Sequence, residues 1–92
     1  MEDEEPAFIV PIEDTIDLHS FAPRDVVGVV EAYLQAASDA GFAEVRLIHG
    51  RGKGVQRAAI QRMLRSHPLV ELYWDATESH LGATVVRLRR LA

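Results

Sequence analysis

Between Thr15 and His19 apolar and polar residues alternate, with Ile16 and Leu18 on one parity and Thr15, Asp17 and His19 on the other. This is the period of a strand with one apolar face. From Pro23, a residue suited to the first helical position, the period lengthens, and Val26, Val30, Tyr33, Leu34 and Ala37 recur at helical spacing until Gly41 stops the run. Residues 44–49 return to a strand pattern, and residues 55–67 to a helical one that Pro68 ends. Val70, Leu72 and Trp74 then alternate with Glu71, Tyr73 and Asp75, so the third strand is expected to bury Trp74 and turn Tyr73 outward. Residues 76–81 read as a loop before a fourth strand over residues 82–89.

The predicted order is strand, helix, strand, helix, strand, strand, without an internal repeat. Two successive strand–helix–strand units with right-handed crossovers set both helices on one face of a four-stranded mixed sheet. The result is an α/β two-layer sandwich whose other face is open. The first three strands run parallel, and a last strand returning antiparallel begins at the edge where they end. That edge, at the carboxyl ends of strands, is where α/β proteins bind ligands. It gathers Asp17 and His19, the loop after the second strand, and Gly82-Ala83-Thr84.

The loop reads His49-Gly50-Arg51-Gly52-Lys53-Gly54 and runs directly into a helix. Alternating glycines let the main chain take positive φ and approach a ligand closely, and a helix N-terminus with two adjacent cations favours an anion such as phosphate. The spacing is neither Gly-x-x-x-x-Gly-Lys-Ser/Thr nor Gly-x-Gly-x-x-Gly, so neither a nucleoside triphosphate nor a dinucleotide cofactor is expected. The plain alternative is a strand-to-helix turn whose glycines serve geometry alone. At about 100° per residue, Arg57, Gln61, Arg62 and Arg65 share one arc of the following helix. Val55, Ala59, Ile60, Met63 and Leu64 share the other. The apolar arc is expected to pack on the sheet, leaving the arginines in solvent beside Arg51 and Lys53, where they can neutralise phosphates or serve as an ordinary helix surface. Arg87 and Arg89 are expected on the open sheet face with Tyr73, which would be placed to stack on a base.

Composition sharpens this picture. The 92 residues carry a net charge of −4. Residues 1–50 hold 2 Lys/Arg against 11 Asp/Glu, a net −9, and residues 51–92 hold 8 against 3, a net +5. Part of the acidity is Glu2-Asp3-Glu4-Glu5, so residues 1–11 are expected to form a flexible acidic tail and residues 12–92 one domain with a basic C-terminal half able to meet a polyanion. With no cysteine there is no disulfide, thiolate ligand or cysteine nucleophile. No apolar stretch nears the roughly 20 residues of a membrane span, and the N-terminus lacks the basic start of a signal peptide, so a cytoplasmic protein without a membrane partner is expected.

Three segments in register carry a family resemblance: Ile16-Asp17-Leu18-His19, then His49-Gly50-Arg51-Gly52-Lys53-Gly54, then Gly82-Ala83-Thr84-Val85-Val86. Together they resemble the small MutS-related domain, Smr, over roughly residues 12–90, and Pro11-Ile12-Glu13-Asp14 is similar to the lead-in of stand-alone bacterial members. The resemblance implies a fold similar to the C-terminal domain of bacterial translation initiation factor three. It also implies a function directed at RNA or DNA, either endonucleolytic or, as the alternative, a non-catalytic binding module contributing to a larger assembly. By residue, it places catalysis on Asp17 and His19, with His49 assisting or contacting phosphate. Gly50, Gly52 and Gly54 would shape the cradle, Arg51, Lys53 and Arg57 would hold the nucleic-acid backbone, and Thr84 would line the site. Two departures are Ser20, where many members have glycine, and Ser79-His80-Leu81-Gly82, where the family is richer in glycine.

Asp17 and His19, two apart on a strand, face the same way. The carboxylate can orient the imidazole and raise its pKa for acid–base work on a phosphodiester, or, more plainly, accept backbone N–H bonds while His19 caps the turn. One carboxylate with His19 and His49 is a conceivable set for a divalent metal, although the carboxylate cluster of a two-metal nuclease is not visible and the cofactor is left open.

Overall fold

The computed structural model describes residues 12–52, 54–76 and 82–90. The acidic tail, Lys53 and His80 lie outside them. The described chain forms strand β1 (Thr15–Asp17), helix α1 (Val26–Asp39), β2 (Glu44–Ile48), helix α2 (Val55–Arg65), β3 (Val70–Asp75) and β4 (Ala83–Leu88), with a single 3-10 turn at Pro23–Asp25 leading into α1. None of these helices is long and apolar enough to cross a membrane.

The sheet order is β1-β2-β4-β3, with β1 parallel to β2 and β4 antiparallel to both of its neighbours. The last strand is therefore inserted into the middle. Ile16 pairs with Leu47, Leu47 with Thr84, and Thr84 with Asp75, which lines up one row across all four strands. Val26, Val30, Leu34 and Ala37 of α1 and Ile60 and Leu64 of α2 share one core cluster with Val45, Leu47, Val86 and Leu88. Residues of opposite parity, Ile48, Ala83 and Val85, join a separate cluster with Ala76. Both helices thus cover one face, as the crossover geometry requires, and no helix among the described residues covers the other, open face. Tyr33 adds a tether, its hydroxyl donating to the Glu13 carbonyl at 2.5 Å. Burial, with Asp14 and Glu13 nearby, pushes its pKa up to about 12.

Two packing expectations are overturned. The first concerns β3, where Val70 pairs with Leu88 but Leu72, not Glu71, pairs with Arg87. This bulge adds one residue to β3, and one added residue reverses every side chain beyond it. Tyr73 consequently packs against the main core, while Leu72 and Trp74 lie on the open face, 52% and 39% exposed. Trp74 stands under the Arg87 guanidinium, 5.5 Å from ring centroid to the carbon, and Arg87 also reaches Glu44 at 3.4 Å. Arg89 is occupied too, donating to the carbonyls of Pro68 and Val70.

The second correction concerns α2. Its sheet-facing stripe is Arg57, Ile60, Gln61 and Leu64, the i, i+3, i+4, i+7 positions of one face. Val55, assigned to the buried arc by hydrophobicity, is 68% exposed. The reason is positional: the first turn of α2 overhangs the polar end of the sheet, where Asp75 and Thr84 offer hydrogen bonds that Arg57 and Gln61 take.

Candidate functional site

At the carboxyl edge of the parallel strands, three separated segments meet. Leu18 N–H bonds the Ile48 carbonyl at 2.8 Å, extending the β1–β2 ladder by one residue. The N–H groups of His49 and Gly50 both bond the Gly82 carbonyl at 3.1 Å, tying the start of the glycine loop to the start of β4. Gly50, Gly52 and Gly54 all have positive φ, and Gly54 is the left-handed residue from which α2 starts, without a side-chain cap. The first N–H groups of α2 thus have no intrahelical acceptor and point into the loop. Gly82 is the constrained position. With φ of +78° and an added Cβ 2.6 Å from the Gly50 oxygen, it admits no side chain.

His49 is buried, 8% exposed. Its Nδ1 is 2.9 Å from the Gly50 carbonyl, an acceptor only, so we assign the ring hydrogen to Nδ1. In the neutral imidazole Nε2 then accepts, and the partner 2.9 Å away is the Thr84 hydroxyl. The Thr84 oxygen in turn accepts from the Gln61 amide, whose other hydrogen goes to Asp75, both at 3.0 Å. Arg57 completes the chain with two bonds to Asp75, at 2.6 and 2.7 Å. Its guanidinium, ahead of the Gln61 amide, pulls the Asp75 carboxyl down to about 2, and Asp75 raises Arg57. The chain locks α2, β3, β4 and the glycine loop together. It also means that both ring nitrogens of His49 already have partners.

Asp17 and His19 make a different arrangement. The Asp17 carboxylate accepts the His19 backbone N–H at 3.0 Å and meets Nδ1 of the ring at 2.5 Å. The ring bond, followed by the backbone bond, holds the Asp17 carboxyl below its ordinary range. The His19 side chain is 74% exposed. With Nδ1 donating to Asp17, a neutral ring presents its Nε2 lone pair outward, as a general base does.

Two adjoining clefts connect these groups. One, of about 140 Å3, is formed by the glycine loop and the first turn of α2, including Arg51, Gln56 and Arg57. The other, of about 220 Å3, has His19, Phe21, Pro23, His49 and Gln56 among its walls. His49 and Gln56 belong to both. Asp17, His19, His49, Gly50, Arg51, Gly52, Gly54, Arg57 and Thr84 therefore come to one edge, and Lys53 is outside the described residues. Among the described residues no group of three His, Cys, Asp or Glu side chains is arranged to hold a metal ion. Sequence reasoning missed Gln61, Asp75 and Gln56. The available signal was the four-residue spacing of Arg57 and Gln61, which puts both on one helix face.

A family model described as the Smr domain matches residues 16–89. Proteins named endonuclease MutS2 from Caldicellulosiruptor saccharolyticus and Halalkalibacterium halodurans are each 39% identical over 80 residues, covering 85% of this chain. The chain spans only 10% of the length of these relatives. Among solved structures, the Smr domain of Thermus thermophilus MutS2 superposes with a TM-score of 0.77 at 34% identity, covering 84% of this chain and 99% of that one. YdaL, a stand-alone small MutS-related protein from Escherichia coli, gives 0.77 at 25% identity, covering 87% and 67%.

Proposed function

Because the chain belongs to the Smr domain family and is related to MutS2 endonucleases, we propose that its glycine-loop edge binds nucleic acid, RNA ahead of DNA, and that Asp17 and His19 cleave a phosphodiester bond there in the cytoplasm. The observation that carries this reading is the Asp17–His19 contact of 2.5 Å, which fixes one ring nitrogen and leaves the other exposed near the glycine loop. Phosphate oxygens would take the loop N–H groups and the first turn of α2, with Arg51, Lys53 and Arg57 along the backbone.

On RNA, His19 Nε2 accepts the proton of the 2′-hydroxyl, the 2′-oxygen bonds to the neighbouring phosphorus, and the 5′-oxygen leaves and takes a proton from water. On DNA, the same nitrogen accepts a proton from an attacking water whose oxygen bonds to phosphorus, while the bond from phosphorus to one deoxyribose oxygen breaks and that oxygen takes a proton from water. Asp17 stabilises the imidazolium formed in either case. With its ring enclosed, His49 acts as a positioning residue that fixes the loop rather than as a second acid or base.

One observation favours a binding module without chemistry: Asp17 also accepts the His19 backbone N–H, a turn-capping role complete in itself. The deciding experiment incubates purified protein with labelled single-stranded RNA, duplex DNA and branched DNA, with and without chelator, beside Asp17→Ala/His19→Ala purified identically. Cleavage lower by at least about 100-fold in the double variant, with binding retained, is expected. Equal cleavage by both proteins would remove the pair from catalysis, and binding without cleavage by either would favour the binding module.

A further inference from the structure

The cleft beside His19 has features that phosphate binding does not use. Its floor is apolar and buried, made by Leu18 and Val26. Phe21 forms part of its wall yet stays exposed, held there by a turn in which its N–H bonds the Leu18 carbonyl at 3.1 Å. Gln56 is half-buried between this cleft and the glycine loop, and its amide has no hydrogen-bond partner among the described residues. Its donor and acceptor are therefore available to a molecule in the cleft.

We propose that this cleft receives one unpaired nucleobase of the bound nucleic acid, with Phe21 as the surface it lies against and Gln56 as the group that reads its edge. The inference rests on the nucleic-acid reading above and narrows it to strands with unpaired nucleotides. At about 220 Å3 the cleft falls below the roughly 300–1,000 Å3 of sites for drug-sized ligands, which suits a single ring system. An apolar floor and an aromatic wall match the faces of a base. A carboxamide, with donor and acceptor side by side, matches the hydrogen-bonding edge of one. Because Gln56 and His49 line both clefts, a phosphate on the loop and a base in the cleft are neighbours along one strand, and His19 lies beside the link between them. A base still paired in a duplex has its edge occupied and its faces stacked, so it does not fit.

The test compares binding of the intact protein to a fully paired duplex, the same duplex with one bulged nucleotide, and the same bulge lacking its base, each prepared in RNA and in DNA. The bulged form should bind tighter than the paired one by about tenfold or more, the scale of base–aromatic stacking, and removal of the base should abolish the gain. Phe21→Ala and Gln56→Leu should each erase most of that gain. Equal affinity for the bulge with and without its base would overturn the base cleft while leaving phosphate binding intact, whereas no binding to any of the three would overturn both. The comparison on the unmodified protein decides even if a variant misfolds.

Discussion

The Thr84 hydroxyl donates to Nε2 of His49, 2.9 Å away in the buried interior, so the middle strand of the sheet sets the orientation of the residue that opens the glycine loop. Thr84→Val keeps the shape and removes the bond, leaving Nε2 of His49 and one hydrogen of Gln61 without a partner. Loss of a buried partner costs about 1–3 kcal/mol, and in a domain of this size that lowers the melting temperature by about 4 °C or more. A melting curve superimposable on the parent's would show that the bond contributes nothing.

Glycines 50 and 82 should respond differently to alanine. Both have positive φ, but an added Cβ meets nothing within 4 Å at Gly50 and lies 2.6 Å from a backbone oxygen at Gly82. Gly50→Ala should cost about 1–2 kcal/mol, the left-handed penalty alone. Gly82→Ala should cost clearly more and loosen the loop, seen as faster amide exchange at His49 and Gly50. Equal losses in chemical denaturation would contradict the close approach.

The Asp75 carboxyl, lowered from 3.8 to about 2 by Arg57 and Gln61, predicts a pH dependence. A depressed folded-state pKa means that its contribution is fully present above pH 3.8 and is lost as the pH falls through about 2. Asp75 and Arg57 are each about half exposed, so solvent screening keeps the contribution of the pair small. Asp75→Asn should therefore be slightly less stable than the parent at pH 7 and equal to it only well below the folded-state value, at about pH 1. A difference that persists at about pH 1 would mean that packing, not charge, is responsible.

Trp74 is the single tryptophan of the chain, which makes the β3 bulge testable by fluorescence. With Trp74 39% exposed on the open face, native emission should be red-shifted and acrylamide should quench it readily. Blue-shifted, protected emission is what an unbulged strand, with Trp74 in the core, would give.

Replacing Arg51 and Lys53 by alanine should flatten the salt dependence of nucleic-acid affinity. Each lost phosphate contact reduces the slope of log K against log salt by about 0.7 for a single strand and about 0.9 for a duplex. An unchanged slope would place the phosphate surface elsewhere.

What could be read from the sequence follows from how local each signal is. The glycine loop is a contiguous motif and is recognised as one, whereas Asp17 ends β1 and His19 lies in the turn beyond it, so their contact comes from that turn and not from the strand periodicity that suggested it. Tyr73 and Trp74 exchanged faces because period-two reasoning has no way to register one extra residue opposite Arg87. Gln61 and Asp75 were invisible as a pair because their bond depends on how α2 is rotated over the sheet. That rotation is set by polar partners at the sheet's end as much as by apolar residues on the helix.

The position of β4 also dictates when the edge comes into being. The ribosome delivers Asp17, His19 and the glycine loop well before residues 82–88, yet Gly82 and Thr84 are what fasten that loop. A nascent chain ending short of β4 has β2 and β3 with unfilled edges and no central strand between them, an arrangement prone to pairing with other chains. The edge therefore assembles only once residues 82–88 have been made, and a chain that stops short of them lacks the contacts that hold the glycine loop in place.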